Sequence, residues 1–434
     1  MLNRHCIVIP TDRECALPIR EFYDEALYAK EKLDLDCCLV VIDTSDDESR
    51  SKNWQVINEL RKKKEVKIYY FNPADLDAYI DKIITHPRLV NDRDKLSSLL
   101  NPEGCSYGAA ANRTFLIAAS IGSEYLHRRD SDTIPQKINS GRVFPIAQEY
   151  RFLGKTVNEI KQKVDIIEYS SPLDSVPVFL VGAGYIGEWS TELKELYDYS
   201  PELFYGHFCL TMPDKEKEYV INWVNRHYFE ENPKPFTSDK TELVARNGLD
   251  IGNHALYRIF HELPVVPAKD VVGADYFHRQ ILLTLNLPSV YTNRHLVHFH
   301  TKERTTLEWF VKHQLRIVKY LAYRPYMHEF FRNIYKNKEK VFDNAGSFNN
   351  PIIAESVFKA SEIDNNHSRD LILRQSQLMK KVKIEKYQVL YKAIIEQKEP
   401  ILEELKNDIK DFAFLIYKWK DIIYAAKEID VDNV

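Results

Sequence analysis

Two aspartates separated by one serine, Asp130 and Asp132, have the residue type and spacing that suit a metal-bound diphosphate. Carboxylate oxygens are hard ligands, and Mg²⁺ is usually held by few protein carboxylates together with the phosphate oxygens of a substrate. The spacing alone is weak evidence, because the chain has four other aspartate pairs of this kind. These are Asp34 and Asp36, Asp75 and Asp77, Asp92 and Asp94, and Asp430 and Asp432. The elements around each pair must therefore decide which one forms a site.

Short apolar runs alternate with amphipathic segments at the start of the chain. The runs 6–9, 37–42 and 66–71 predict strands, and apolar residues at helical spacing predict a helix after each. This alternation favours a mainly parallel sheet flanked by helices, and runs that are apolar throughout fit strands covered on both faces. The small-residue segment 109–119 predicts another helix, and 123–126 predicts a fourth strand that leads to the aspartate pair.

The later part of the chain changes character. Further strands are predicted at 178–181, 208–210 and 296–299, with the sheet ending near His300. From residue 305 onward, long patterns rich in Lys, Glu, Leu and Ile predict helices, clearest over 371–397 and 401–427. We therefore predict an α/β protein with a sheet domain, 1–302, and a helical C-terminal region, 303–434.

The bulk composition excludes several classes of protein. The 434 residues are 44% hydrophobic and 29% charged, with a formal net charge of -4, which is typical of a globular protein and argues against general nucleic-acid coating. There is no N-terminal signal pattern, and no apolar run approaches the roughly 20 residues of a transmembrane helix. We therefore expect a cytoplasmic protein without a transmembrane segment. The six cysteines lack CxxC spacing and are expected to be reduced.

Polar or acidic residues follow three of the predicted strands, and ligands of open α/β sheets bind outside the carboxyl ends of strands. In the order of its strands, helices and strand-end residues, the chain resembles the GT-A fold glycosyltransferases, in particular the family-2-like group, over roughly residues 5 to 300. The resemblance rests on 7–11, 40–47 and 110–126. It implies the GT-A fold of nucleotide-diphospho-sugar transferases, with a mainly parallel sheet flanked by helices and followed here by the α-helical C-terminal region.

The resemblance also implies an activity and a set of site residues. The chain would be a metal-dependent glycosyltransferase that takes a sugar from a nucleoside diphosphate sugar, UDP- or GDP-linked, using Mn²⁺ or Mg²⁺. Asp132 would hold the metal, and Asp130 would contact the ribose or the water shell of the metal. The implied nucleoside and phosphate contacts are Pro10, Thr11, Asp43 and either Asn112 or Arg113.

A late histidine commonly completes the metal site in that family, and this chain offers His298 and His300. Alternate residues of a strand point to the same face, so both are candidates; we prefer His300 and keep His298 in reserve. An imidazole ligand would favour Mn²⁺ over Mg²⁺. The alternative interpretation is two histidines of a half-buried strand without a ligand role.

Transfer with inversion requires a carboxylate that takes the proton of the acceptor, and Asp275 is our candidate. It follows 252–258, which resembles the Gly-Asn segment that precedes an acidic loop in the family. Many relatives have Glu-Asp where this chain has Ala274 and Asp275, so inversion or retention stays open. Alternatively, Asp275 caps a helix that begins at Tyr276.

The segment Gly182 to Gly187 matches GxGxxG after a strand, which is the form of a dinucleotide-binding turn, so an NAD- or FAD-dependent enzyme is an alternative function. The acidic strand end expected about 20 residues later is missing. We therefore predict a tight turn that shapes the acceptor or sugar pocket with Gly184, Glu188 and Trp189. A non-catalytic nucleotide-sugar-binding protein on the same fold is a further alternative.

Basic and aromatic residues interleave over 302–340, a pattern that suits an anionic acceptor, a membrane surface or a nucleic acid. The simpler interpretation is that the aromatic residues form the core face of a helix. We expect the C-terminal helices to pack on the sheet domain or to form a homodimer. The acceptor stays unidentified: a small molecule, a glycan, a peptide or a modified nucleic acid.

Overall fold

The computed structural model describes residues 4–139, 141–168, 175–188, 193–210, 216–230, 233–244, 250–343 and 346–433. Their strands are β1 Arg4–Thr11, β2 Asp36–Asp43, β3 Ile68–Phe71, β4 Ser123–Arg129, β5 Thr133–Ile138, β6 Gly141–Val143, β7 Ile166–Glu168, β8 Leu180–Gly182, β9 Tyr185–Gly187, β10 Thr241–Val244, β11 Asn253–Tyr257, β12 Ser289–Thr292 and β13 Leu296–His298. Their helices are α1 Ala16–Leu33, α2 Asp47–Lys63, α3 Pro73–Ile84, α4 Arg93–Leu100, α5 Tyr107–Ser120, α6 Ile146–Phe152, α7 Val157–Ile160, α8 Lys194–Tyr199, α9 Pro201–Cys209, α10 Lys217–Tyr228, α11 Ile259–Glu262, α12 Phe277–Thr284, α13 Leu307–Lys336, α14 Asn350–Ala360, α15 Asn366–Lys381 and α16 Glu385–Lys427. None of the helices in these ranges combines the length and the apolar character needed to cross a bilayer.

Nine strands form one sheet in the order β3-β2-β1-β4-β11-β8-β12-β10-β7. The first four strands of this order, β3, β2, β1 and β4, run parallel, so their carboxyl ends meet at one edge. Strand β11 runs antiparallel between β4 and β8. This architecture confirms the predicted fold class, an α/β protein with a mainly parallel sheet, flanking helices and a helical C-terminal region.

A smaller sheet, in the order β6-β5-β13-β9, begins where the large sheet ends. Strand β5 starts at Thr133, directly after Asp132, and pairs antiparallel with β13 so that His298 stands opposite Thr133. Strand β13 also pairs in parallel with β9. The small sheet therefore brings the predicted late histidine segment beside the aspartate pair.

Two predicted elements are wrong. The segment 208–210 belongs to the end of α9 and the residue after it, not to a strand, because a three-residue apolar run does not distinguish a strand from a buried helix. The predicted helical stretches 371–397 and 401–427 are divided at the wrong place, because α15 ends at Lys381 and α16, 43 residues in all, runs from Glu385 through Pro400 to Lys427. A proline in a helix costs about 3 kcal/mol, and burial of Ile401, Leu402 and Leu405 just after Pro400 offsets that cost.

The hydrophobic core continues across the predicted domain boundary. Buried residues of the sheet and of α13 to α16 belong to one cluster, and Nε1 of the fully buried Trp419 donates to the carbonyl of Phe260 at 2.9 Å. The aromatic residues Phe310 and Phe330 of α13 are buried in this cluster, which confirms the core-face interpretation for them. The division at residue 302 stays a prediction.

Arg129 lies at the end of β4 and is fully buried. Its Nη2 is 2.9 Å from Oε1 of Glu25 in α1 and 2.7 Å from Oε2 of Glu149 in α6. Nδ1 of His127 is also 2.7 Å from Oε2 of Glu149. Burial alone would raise the pKa of Glu149, but Arg129 and His127 lower it to about 2. This ion network ties two helices to the strand that leads into Asp130.

Replacing Arg129 should destabilise the fold strongly. In Arg129→Met, two fully buried carboxylates lose their counter-charge, and we expect the free energy of unfolding to fall by roughly 3–5 kcal/mol. Urea unfolding followed by circular dichroism measures this. Arg93→Met is the matched control, because Arg93 pairs with Asp81 on the surface and such pairs contribute about 0–1 kcal/mol. A loss no larger than that of the control would contradict the role given to Arg129.

Candidate functional site

Asp132 lies in the turn between β4 and β5, at the carboxyl edge of the parallel strands. Its Oδ2 atom is 3.3 Å from Nη1 of Arg13 and 3.6 Å from Nε2 of His298, and it accepts a hydrogen bond from Nη2 of Arg304. Burial disfavours the ionised form, but His298 and the two arginines outweigh it and hold the pKa of Asp132 below its ordinary range. Asp132 is therefore ionised at neutral pH.

Asp130 has a different electrostatic environment. Its Oδ2 accepts a hydrogen bond from the hydroxyl of Tyr185 at 2.9 Å, and its Oδ1 is 3.3 Å from Nη2 of Arg128. Burial raises the pKa of Asp130, and the neighbouring carboxylates of Asp132 and Asp275 raise it further. The two aspartates are therefore shifted in opposite directions, as is common where two carboxyl groups take different roles.

Gly252 packs directly against this pair. An added Cβ would lie 2.0 Å from Oδ2 of Asp130 and 1.8 Å from the hydroxyl of Tyr185. The carbonyl of Gly252 accepts a hydrogen bond from the amide of Asp130 at 3.2 Å. Only glycine allows this close approach, which fixes the orientation of the Asp130 side chain.

Arg128 joins the aspartate pair to the predicted base. Its Nη1 donates to Oδ2 of Asp275 at 2.7 Å, while its Nη2 reaches Asp130. Asp275 lies in a 3₁₀ turn, Ala274–Tyr276, just before α12, and in this described segment it makes no side-chain cap to the helix. The capping alternative is therefore wrong. Sequence reasoning missed Arg128, although it stands two residues before Asp130.

The structure separates the two candidate histidines. Nδ1 of His298 donates to the carbonyl of Glu188 at 2.7 Å, which orients Nε2 towards Asp132. His300, our first choice, has its Nδ1 3.6 Å from Oε2 of Glu188 instead. The alternation that grouped the two histidines holds only within a strand, and β13 ends at His298. His298 is therefore the histidine that approaches Asp132, and which of the two histidines is a metal ligand stays a prediction.

Thr11 and Asp43 end β1 and β2, as the sequence predicts. The carboxylate of Asp43 is fully buried and accepts hydrogen bonds from Nδ2 of Asn53 and the hydroxyl of Tyr70, both at 2.9 Å. Asn53 also donates to the carbonyl of Arg13 at 3.0 Å. Through Asn53, Asp43 therefore stabilises the loop in which Arg13 contacts Asp132.

Asn112 and Arg113 have internal hydrogen-bond partners. Asn112 exchanges two hydrogen bonds with the backbone of Val265, both at 2.9 Å. Nη1 of Arg113 donates to the carbonyl of Leu100 at 3.1 Å. Pro10 pairs with β2 in the parallel register of β1. The contacts with base or phosphate that the resemblance implies for these residues stay predictions.

The Gly182 to Gly187 turn connects β8 to β9, which belong to different sheets. The turn leads into a strand in this described segment and lacks the helix N-terminus on which a dinucleotide phosphate rests, so the NAD or FAD alternative loses its structural basis. The amide of Gly184 donates to Nδ1 of His295 at 3.1 Å. Glu188 follows β9, and Trp189 lies outside the described residues.

Asp250 is a further carboxyl group at this turn, and the sequence analysis missed it. Its Oδ2 accepts a hydrogen bond from the amide of Tyr185 at 3.2 Å, and an added Cβ on Gly184 would lie 3.1 Å from the same atom. Burial raises the pKa of Asp250 to about 6, which is near the range useful for proton transfer. The feature of the sequence that could have identified Asp250 is its position two residues before Gly252.

The fit of the site to a metal ion depends on two side chains. Among the described residues, no group of three or more His, Cys, Asp or Glu side chains is arranged to hold a metal. Asp132 and His298 supply one carboxylate and one imidazole, which fit a divalent ion that takes its other ligands from phosphate and water. Arg13 and Arg304 would have to release Asp132 to such an ion.

Two solved structures are similar to this chain, one named as a mannosyltransferase and the other as a synthase. One is a mannosyltransferase from Pyrobaculum calidifontis in complex with GDP-Man and Mn²⁺, with a TM-score of 0.36, 11% identity, and coverage of 96% of this chain and 87% of that chain. The other is mannosyl-3-phosphoglycerate synthase from Rubrobacter xylanophilus, with a TM-score of 0.33, 14% identity and coverage of 73% of each chain. At these TM-scores the likeness carries no argument about activity.

No curated protein sequence matches the chain. One family of sequences does, over residues 3–434, which is nearly the whole chain. The chain therefore belongs to the family of unknown function DUF6271.

Proposed function

We propose that the chain is a metal-dependent glycosyltransferase that moves a sugar from a nucleoside diphosphate sugar to an acceptor. The observation that carries this proposal is Arg128, which links Asp130 to Asp275 at the edge where His298 approaches Asp132. Glycosyl transfer needs charge neutralisation at the leaving diphosphate and, for inversion, a carboxylate near the acceptor. Asp132 and His298, proposed for the first task, and Asp275, proposed for the second, belong to this one cluster.

The donor diphosphate is proposed to bind at Asp132. Asp132 and His298 would hold Mn²⁺ or Mg²⁺, with the imidazole favouring Mn²⁺, and the ion would neutralise charge on the leaving diphosphate. Thr11, at the end of β1, is proposed to contact the nucleoside. Asp43, which has internal partners, contributes by holding the loop of Arg13.

Asp275 is proposed as the base that accepts the proton of the acceptor. Its Oδ2 accepts a hydrogen bond from Nη1 of Arg128, which orients the carboxylate. The acceptor side is proposed to include Gly184 and Glu188, which border the same edge, together with Trp189.

A matching donor should stabilise the folded protein in the presence of Mn²⁺. A ligand at a hundredfold excess over its Kd adds about 2.7 kcal/mol to the free energy of unfolding, so UDP- and GDP-linked sugars can be screened by differential scanning fluorimetry with Mn²⁺ or EDTA. Asp132→Asn should lose the Mn²⁺-dependent shift. Asp94→Asn, at an exposed aspartate of another pair, should keep it. A full shift in Asp132→Asn would contradict the proposed metal site.

Asp275→Asn should separate donor binding from transfer. Asparagine keeps the shape of the side chain but cannot take the proton, so we expect donor affinity near that of the wild type and a rate lower by at least about 10²-fold. Calorimetry measures the affinity, and release of nucleoside diphosphate measures transfer to any acceptor, including water. Asp94→Asn is again the control. An unchanged rate would remove Asp275 as the base, and a non-catalytic binding protein would show no turnover in any variant.

A further inference from the structure

A cluster of basic side chains lies beside Asp132 on the side of the C-terminal helices. Arg304 comes from the 3₁₀ turn Lys302–Thr305, and His313 and Arg316 come from α13. Arg13, in the loop after β1, approaches the same carboxylate from the sheet. None of these four side chains belongs to the proton-transfer or metal-binding groups proposed above.

Several hydrogen-bonding atoms of this cluster are buried without a partner. Within the described part of the chain, Nε and Nη1 of Arg304 and both ring nitrogens of His313 have no hydrogen-bond partner. The side chain of Arg304 is only 10% exposed. A buried polar group left unsatisfied costs roughly 1–3 kcal/mol, and native proteins contain few of them. Because a guanidinium has only donors, the partner that Arg304 lacks must be an acceptor.

Trp309 holds the cluster in place. Its ring stacks on that of His313 with centroids 4.5 Å apart and an interplanar angle of 13°. The guanidinium carbon of Arg304 is 5.4 Å from the centroid of the Trp309 ring. These contacts orient both side chains before a ligand arrives, which reduces the entropy cost of binding.

Three guanidinium groups of the cluster lie near His313. Burial lowers the pKa of His313 to about 3, and the neighbouring Arg304, Arg316 and Arg13 contribute to that shift. The imidazole is therefore neutral at pH 7 and lies within the field of three guanidinium groups. Three nearby cations favour an anion at this position, and the carboxylates that pair with them reduce that preference.

Carboxylates pair with all three guanidinium groups of the cluster. Asp132 contacts both Arg304 and Arg13, and Nε of Arg316 is 3.2 Å from Oδ1 of Asp270. Arg13 has two further partners, since its Nε is 2.9 Å from Oδ1 of Asp12 and its Nη1 is 3.2 Å from Oε1 of Glu303. Nε and Nη1 of Arg304 stay without a hydrogen-bond partner among the described residues. If a metal ion takes Asp132, Nη2 of Arg304 loses that carboxylate and an incoming anion can take its place, while Arg13 keeps Asp12 and Glu303.

We propose that Arg304, His313 and Arg316, with Arg13, form a binding site for a phosphate group of a substrate. Guanidinium forks match the geometry of phosphate oxygens and make bidentate, charge-assisted hydrogen bonds with them. The phosphate comes either from the diphosphate of the donor or from a phosphorylated acceptor. Its place in the reaction rests on the proposed function, but binding of the phosphate itself requires neither metal nor sugar.

Inorganic pyrophosphate in EDTA is the probe, and isothermal titration calorimetry is the measurement. We expect saturable binding to the wild type, and affinity at least about tenfold weaker in Arg304→Gln and in His313→Gln. Lys312→Gln is the control, because Lys312 is exposed and pairs with Glu308 on α13; it should stay within about twofold. Circular dichroism checks folding, and His313→Gln, which leaves Asp132 with its partners, covers the case in which Arg304→Gln fails to fold.

Competition separates the two sources of phosphate. Displacement of pyrophosphate by UDP or GDP but not by glucose 6-phosphate assigns the site to the donor, and the reverse pattern assigns it to a phosphorylated acceptor. No saturable binding of pyrophosphate to the wild type, or unchanged affinity in the folded variants, overturns the proposal.

The same variants distinguish this proposal from the proposed function. Unchanged pyrophosphate affinity in both folded variants, together with Mn²⁺-dependent stabilisation by a nucleotide sugar, overturns the phosphate site and leaves the glycosyltransferase proposal standing. Pyrophosphate binding that both substitutions abolish, while every nucleotide sugar fails, supports the phosphate site and contradicts the glycosyltransferase proposal.

Discussion

The end of β4 is held by one buried arginine, and the candidate site depends on where that strand ends. Arg129 is fully buried between Glu25 and Glu149, which belong to two different helices. Moving the strand by one residue would take this charge away from both carboxylates in a poorly solvated interior, at a cost of several kcal/mol. Because side chains alternate along a strand, Arg128 must then face the opposite side of the sheet, where the carboxylates of the site lie.

The site places carboxylates beside arginines, and the contacts of each aspartate determine its pKa. Burial raises the pKa of Asp130, whereas His298 and two arginines lower that of Asp132 in spite of burial. The helical C-terminal region takes part in this balance, because Arg304 contacts Asp132 from the turn that leads into α13. The helices therefore contribute to the site itself as well as to the shared core.

Local sequence patterns were sufficient for the framework. The apolar run 37–42 became β2, because burial on both faces leaves a clear signal in the sequence. The strand β4 is weak by composition and was predicted from its place between a helix and the aspartate pair. Such patterns do not predict which side chains contact each other at the site. Arg128 reaches Asp275 across 147 positions, and His298 is favoured over His300 only because β13 ends there. These outcomes depend on tertiary contacts, which a single sequence does not encode locally.

Asp132 and His298 are proposed to bind a divalent ion together with the diphosphate of a donor. Pulsed electron paramagnetic resonance of Mn²⁺ in the presence of UDP or GDP tests it most directly, because couplings to ¹⁴N and ³¹P report ligands by element. Both couplings are expected in the wild type, and the ¹⁴N coupling should be lost in His298→Gln. A ³¹P coupling without any histidine nitrogen, or bound Mn²⁺ that Asp132→Asn leaves unchanged, would contradict it.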